Sequence, residues 1–162
     1  MTILNARMIS EIKLLIVSAR EKAIRAVDHQ RTLLYWQIGK YIFEEEQQGK
    51  ERADYGKYLI KYLAENLEPE FGSGFSRRQL YLFLQFYKTF QNVNALRSQL
   101  NWTQYRLLSR IDDSDKREFY MAESTKNHWT SRQMERQINS SLYERLLLSN
   151  DKESVLAVRH SK

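Results

Sequence analysis

The side chains most clearly arranged for chemistry in this 162-residue chain are basic and aromatic ones between Gly74 and Phe90. Wound at about 100° per residue, Arg77, Arg78, Tyr81, Gln85, Lys88 and Thr89 fall in one arc of roughly 120°. Leu80, Leu82, Phe83, Leu84, Phe86, Tyr87 and Phe90 occupy most of the remaining circumference. Such a helix is gripped by a core on most sides and shows solvent one narrow strip. Cations on that strip can hold phosphates, and Tyr81 between them can stack on a sugar or base. The pattern is that of a recognition helix.

Two further pairs of arginines have a related arrangement. Arg106 and Arg110 are four residues apart, opposite Leu107, Leu108 and Ile111, and Arg132 and Arg136 repeat the spacing opposite Met134 and Ile138. The charge distribution supports a polyanionic partner. From Phe71 to Ile111 there is no Asp or Glu, while Arg77, Arg78, Lys88, Arg97, Arg106 and Arg110 supply six positive charges. The rest of the chain holds 20 basic and 20 acidic residues, so the net charge of +6 lies in this one block. A field of that kind suits nucleic acid. A solvated basic surface, or a site for an acidic protein, is the alternative.

Catalytic chemistry finds no comparable support. His29, His128 and His160 are scattered, outside any metal-ligand spacing, and there is no Gly-rich phosphate turn or nucleophile elbow. Glu44, Glu45 and Glu46 are consecutive, so on a helix they point in different directions and make a solvated face. Glu11-Ile12-Lys13 matches the second half of a nuclease carboxylate–lysine motif, but it lies in a helical stretch with no upstream Pro-Asp and no strand to carry it. The expectation is a chain with no catalytic residues, no metal and no cofactor. The absence of cysteine excludes disulfides and fits a reducing compartment. Neither a signal peptide nor a stretch of about 20 apolar residues is evident, which points to the cytoplasm and away from membranes.

The elements that must position these residues are helices. One proline and five glycines leave little punctuation for hairpins, and no segment alternates with a period of two, so the expected fold is all-α with about six helices. From Ile9 to Ile42 the apolar residues Ile12, Ile16, Ala19, Ala23, Val27, Leu34, Ile38 and Tyr41 predict one long amphipathic helix, or two with a break near Asp28-His29. A seam of this length can join two copies into a homo-oligomer or pack on its own domain. Glu44 to Lys50 reads as a helix end and loop, with Gly49 as C-cap. A helix over Tyr55–Leu67, stopped by Pro69, is joined to the basic helix by Glu68–Gly74.

Three segments share one grammar of helix initiation. They are Phe75-Ser76-Arg77-Arg78-Gln79-Leu80, Trp102-Thr103-Gln104-Tyr105-Arg106-Leu107 and Trp129-Thr130-Ser131-Arg132-Gln133-Met134. In each an aromatic residue precedes a hydroxyl cap, and an apolar residue lies five places after the aromatic, which is a hydrophobic staple; the first and third add Gln as the partner of a capping box. Asp112-Asp113-Ser114-Asp115 caps a helix to about Lys126, and a last helix is expected from Ser131 to about Leu148, with Arg132, Arg136 and Tyr143 on one side. Two helix-turn-helix units follow, one with the charge (Tyr55–Leu67 and the basic helix) and one with the turn length (Asp115–Lys126 and the Ser131 helix). The expected organisation is a helical domain over 1–148 and a tail or linker over 149–162.

Several blocks together resemble a known family. They are Ala19-Arg20 with Ala23 and Val27, Leu34-Tyr35-Trp36-Gln37-Ile38-Gly39, Gly74-Phe75-Ser76-Arg77, Phe86-Tyr87, Leu100 with Trp102, Arg117-Glu118-Phe119-Tyr120, Trp129, and Arg132 to Gln137 with Leu142 to Leu146. In order and spacing they resemble the YhcG-type bacterial proteins, over roughly Ala19 to Leu146. Members often carry Pro before the tryptophan and Ser-His after it, where this chain has Asn101 and Thr103-Gln104. The resemblance implies a helical N-terminal domain that precedes a nuclease domain of the PD-(D/E)XK superfamily. No such domain is visible in this sequence, which is expected to be a fragment or a free-standing relative of the N-terminal half. The combined expectation is a non-catalytic module that binds DNA and serves such a nuclease in cis or trans. The competing expectation is an oligomerisation or protein-docking module.

Overall fold

A computed structural model describes residues 3–49, 51, 54–149 and 153. The described residues form an all-α fold of seven helices with two short 3-10 turns. The expected tail over 149–162 lies almost wholly outside the described residues.

The first helix, α1, spans Ile3–Gln48 without interruption. No break occurs at Asp28-His29, and the helix continues through the three glutamates that were expected to lie at its end. No residue between Ile3 and Gln48 is proline, and the lone Gly39 is held by packing. Gly49 follows the helix, its N–H donating to the carbonyl of Glu45 at 3.3 Å.

The second helix, α2, spans Tyr55–Phe71, one turn beyond the expected end. Pro69 sits inside it. Its fixed φ is compatible with a helix; the bond to the Glu65 carbonyl is lost and the ring crowds that carbonyl, but only in the last turn of the helix. Glu65 is exposed, so water can serve that carbonyl. Gly72 ends the helix at φ 97°, a left-handed backbone that suits glycine, with its N–H on the Glu68 carbonyl at 2.8 Å.

The basic segment forms α3, Arg77–Thr89, capped by Ser76, whose hydroxyl accepts from the Gln79 N–H at 3.4 Å. The capping box expected here is only half formed. The Ser76 N–H already donates to Ser73 O at 3.2 Å, within the 3-10 turn Ser73–Phe75, and is not left for the Gln79 side chain. Leu80, Phe83 and Phe86 are fully buried. They meet the C-terminal half of α1 in the most extensive helix–helix packing of the fold. Tyr35 stacks on Phe83 with ring centroids 4.2 Å apart, and the Trp36 Nε1–H donates to the Phe90 carbonyl at 2.5 Å.

Helix α4 spans Trp102–Leu108. Its cap is Asn101 and not Thr103, which lies exposed inside the first turn. Asn101 and Gln104 form a reciprocal capping box with bonds of 2.8 and 2.9 Å. The Asn101 carboxamide also accepts from Ser131 Oγ at 3.0 Å, and the buried Gln104 amide donates to the Trp129 carbonyl at 2.8 Å. The start of α4 is thereby tied to the start of α6. Asn101→Ala is therefore expected to cost more than an isolated cap, about 2 kcal/mol, read as a lowered midpoint in urea; a change below about 0.5 kcal/mol would mean the junction contributes nothing.

Helix α5, Ser114–Asn127, is capped by Asp113, and α6, Ser131–Asn139, by Thr130 in a full capping box with Gln133. Both starts agree with expectation. The single last helix does not. The chain breaks at Ser140-Ser141, with Ser141 left-handed at φ 59°, and resumes as α7, Leu142–Leu148. The buried Tyr120 hydroxyl braces the break, donating to Gln137 O at 3.3 Å and accepting the Tyr143 N–H at 3.1 Å. Ser and Asn readily trade helical bonds for side-chain ones, and Ser140 Oγ does so with Gln137 O at 3.2 Å. Tyr143 accordingly leaves the face of Arg132 and Arg136 and packs on Phe119, centroids 5.4 Å apart. Lys116 and Glu144 join α5 to α7 at 2.6 Å, an attraction that raises the lysine pKa and lowers that of the glutamate.

One buried phenol gives the fold a predicted alkaline limit. Tyr105 exchanges hydrogen bonds with the Arg97 backbone, its hydroxyl accepting from the N–H and donating to the carbonyl at 3.1 Å. Burial pushes its pKa up to about 12, against smaller opposing effects of the Arg97 backbone bond and charge. A raised pKa means that the folded state holds the proton more tightly than the unfolded one. The stability from this site is therefore complete below pH about 10 and lost as pH rises towards about 12. Melting temperature should fall across that window, and the fall should be shallower in Tyr105→Phe.

Candidate nucleic-acid interface

The outer arc of α3 is placed as its periodicity requires. Arg77, Arg78, Tyr81, Gln85 and Lys88 are exposed, Tyr81 by 45%. Thr89 is half-buried and turns its hydroxyl back to the Gln85 carbonyl at 2.8 Å. Among the described residues no carboxylate pairs with Arg77, Arg78 or Lys88. Their arrangement follows from what holds the helix. Leu80, Leu84 and Phe83 lock its rotation against α1 and α2, so the polar arc has no direction left but outward.

Helix α2 completes a surface that periodicity within α3 could not reveal. Arg77 and Tyr81 line a cleft of about 400 Å³ together with Lys57, Tyr58 and Lys61 of α2 and with Asp54 before it. Three cations and two phenols thus share one depression. Tyr58 is 68% exposed. The one acid is partly engaged, since Asp54 lies 3.9 Å from Lys57, and an exposed pair of this kind yields readily to a competing phosphate. The sequence signal for these residues is Lys57 and Lys61 at i,i+4 with Tyr58 between them. Their relation to Arg77 depends on tertiary packing.

The remaining basic residues fare differently. Arg97, counted in the charge block, is paired with Glu118 at 2.8 Å. Arg106 is half-buried and its Nε is enclosed. Arg110 lies in the turn after α4, not on the helix as expected, because α4 ends at Leu108. It is exposed, in a cleft of about 320 Å³ whose lining includes Asp112, Asp113 and Glu135 as well as Lys116. That neighbourhood is mixed in charge. Arg132 and Arg136 are exposed on α6, which follows α5 after the three residues His128–Thr130. The basic side chains are therefore not one patch. The α2–α3 cleft and arc gather cations with aromatics, whereas Arg110 is set among carboxylates.

No metal cluster emerges among the described residues: no three of His, Asp and Glu are grouped to hold an ion. Nor is any helix among the described residues long and apolar enough to cross a membrane.

Residues 11–145 match the DUF1016 N-terminal domain. The chain belongs to that family. A relative of this DUF1016 domain is the Escherichia coli (strain K12) protein "Putative nuclease YhcG", 35% identical over 175 aligned positions. The match takes in 88% of this chain but 46% of that protein, so the chain spans less than half of its relative's length. No solved structure matches the chain.

Proposed function

We propose that this DUF1016 N-terminal domain is a non-catalytic DNA-binding module that delivers DNA to a nuclease of the PD-(D/E)XK type, fused or separate, in the cytoplasm. The observation that carries the reading is the α2–α3 surface, where Lys57, Lys61, Arg77 and Tyr58 meet Tyr81 and the arc continues through Arg78, Gln85 and Lys88. Cations there meet phosphates, and the phenols rest against sugars or unstacked bases. Arg132 and Arg136 offer a secondary contact from α6, the second helix of a helix-turn-helix-like pair with α5. The test is fluorescence anisotropy on a short duplex over a series of salt concentrations. Binding should fall linearly in log–log form as counterions are released. Absence of binding at low salt would refute the reading.

A further inference from the structure

Among the described residues the N-terminal half of α1 is almost bare, its one neighbour being the Ser98-Gln99 loop, which shares an open cleft with Lys22, Arg25 and Ala26. From Asn5 to Val27 every side chain but the half-buried Ser18 is exposed. At about 100° per residue, Met8, Ile9, Ile12, Leu15, Ile16, Ala19, Ala23, Ala26 and Val27 fall in one arc of roughly 120° with no charged residue among them. Leu14, Val17 and Ile24 lie outside it. The arc is not an extension of the face that packs on the body. Thr32, Trp36 and Gly39 are buried on one side of α1, whereas the apolar stripe continues along the opposite side through Leu34, 49% exposed, and Tyr41, 74% exposed. A second apolar face of this length on a helix already committed to its core is the mark of a second partner.

We infer that the partner is a second copy of this chain, packed antiparallel along α1 with a two-fold axis between Val17 and Ser18. Side-chain size decides both the partner and its direction. Ile9, Ile12, Ile16, Ala19, Ala23 and Ala26 recur at alternating spacings of three and four, the seam of a coiled coil. The isoleucines occupy one half of this seam and the alanines the other. Running the helices antiparallel about that axis sets Ile9 against Ala26, Ile12 against Ala23 and Ile16 against Ala19, each pair made twice. Large meets small at every layer, so one interhelical distance serves the whole seam. Beyond the apolar layers, Asn5 meets Gln30 and the seam closes on polar residues. A parallel pair would face isoleucine with isoleucine at one end and alanine with alanine at the other, and no single spacing would fill both. The antiparallel pair also keeps the two bodies apart, at opposite ends and on the outer sides of the seam. Lys13 and Arg20 of one copy lie beside Arg20 and Lys13 of the other along one edge. The seam is thus held by apolar packing, and its strength should not fall as salt is raised, in contrast to DNA binding.

The sequence contains no cysteine, so introduced thiols report the register directly. Analytical ultracentrifugation of the whole chain from micromolar to about 100 μM covers the range expected for a seam of this modest length. Dimer is expected within it; monomer throughout overturns the inference. Under mild oxidation, an equimolar mixture of Ile9→Cys and Ala26→Cys chains should crosslink between the two variants. Ile9→Cys alone should not, because its two thiols lie about 25 Å apart along the axis. Crosslinking of Ile9→Cys with itself would overturn the antiparallel register. Ala23→Ile should weaken the dimer at least tenfold by setting isoleucine against Ile12, and Ile12→Ala/Ala23→Ile should restore it. Failure of that exchange to restore association, in variants whose circular dichroism is unchanged, contradicts the pairing.

Discussion

Gly39→Ala is expected to lower the melting temperature by about 10 °C. Gly39 lies where α1 crosses α3. A Cβ there would stand 2.1 Å from the Phe83 carbonyl oxygen, 2.8 Å from its carbon and 3.0 Å from Tyr87 Cβ. Two of these three atoms are backbone and cannot swing aside. The helices must separate, which disturbs the Tyr35–Phe83 stack and the Trp36–Phe90 bond, at about 3 kcal/mol or more. Against a total stability of about 5–15 kcal/mol this is severe. The opposing term is the better helix propensity of alanine, worth about 1 kcal/mol. Thermal melting followed by circular dichroism decides between them. An unchanged or raised midpoint would mean that α1 and α3 do not approach this closely.

The second large effect concerns binding. Removing three cations from the α2–α3 cleft, in Lys57→Ala/Lys61→Ala/Arg77→Ala, should reduce duplex affinity about a hundredfold near 0.1 M salt. The reduction should be nearly the same for unrelated sequences, since phosphate contacts carry no sequence information. These side chains are exposed, so the melting temperature should change little. Arg97→Ala is the control for charge outside the cleft. It removes one charge from the acid-free block that also holds Arg77, but a charge already paired with Glu118, and affinity should fall no more than about twofold. A fall of about fivefold in Arg97→Ala, one third of the cleft variant's loss on a logarithmic scale, would mean that net charge, not the cleft, drives association.

What could be read from the sequence divides along a physical line. Features set within one turn of helix were legible. Ser76 and Thr130 cap the helices they are expected to cap, and Asp113 is the member of the expected run Asp112–Asp115 that does so, because a cap is decided by the next three residues. The exposure of Arg77, Arg78, Tyr81, Gln85 and Lys88 follows from period alone. Where two local solutions competed, the choice was not legible: Asn101 and Thr103 flank Trp102, and Asn101 prevails because its carboxamide also reaches Ser131. Features set by distant residues were invisible. The Ile138–Leu142–Leu146 spacing reads as unbroken helix, and the break at Ser140-Ser141 depends on Tyr120, some twenty positions earlier. Lys57 and Lys61 join the site only because α2 packs beside α3. Pro69 misled for a related reason, since forgoing one bond to an exposed carbonyl costs little when the rest of the helix is held by its core. The all-α class and the kinship with the DUF1016 N-terminal domain, in contrast, were carried by patterns spread along the chain, which no single misplaced boundary could upset.

The central claim is that the α3 arc and its cleft meet the DNA backbone, and the salt dependence of Arg77→Ala/Lys88→Ala beside the unaltered chain tests it most directly. Anisotropy on one short duplex at several salt concentrations gives a log–log slope for each protein, with melting temperature followed in parallel. The account predicts a weaker variant whose slope is shallower by about two units, one for each phosphate that is no longer neutralised. An unchanged affinity and slope in a folded variant would contradict it, and would move the DNA-facing role to Arg132 and Arg136 or remove it from this domain.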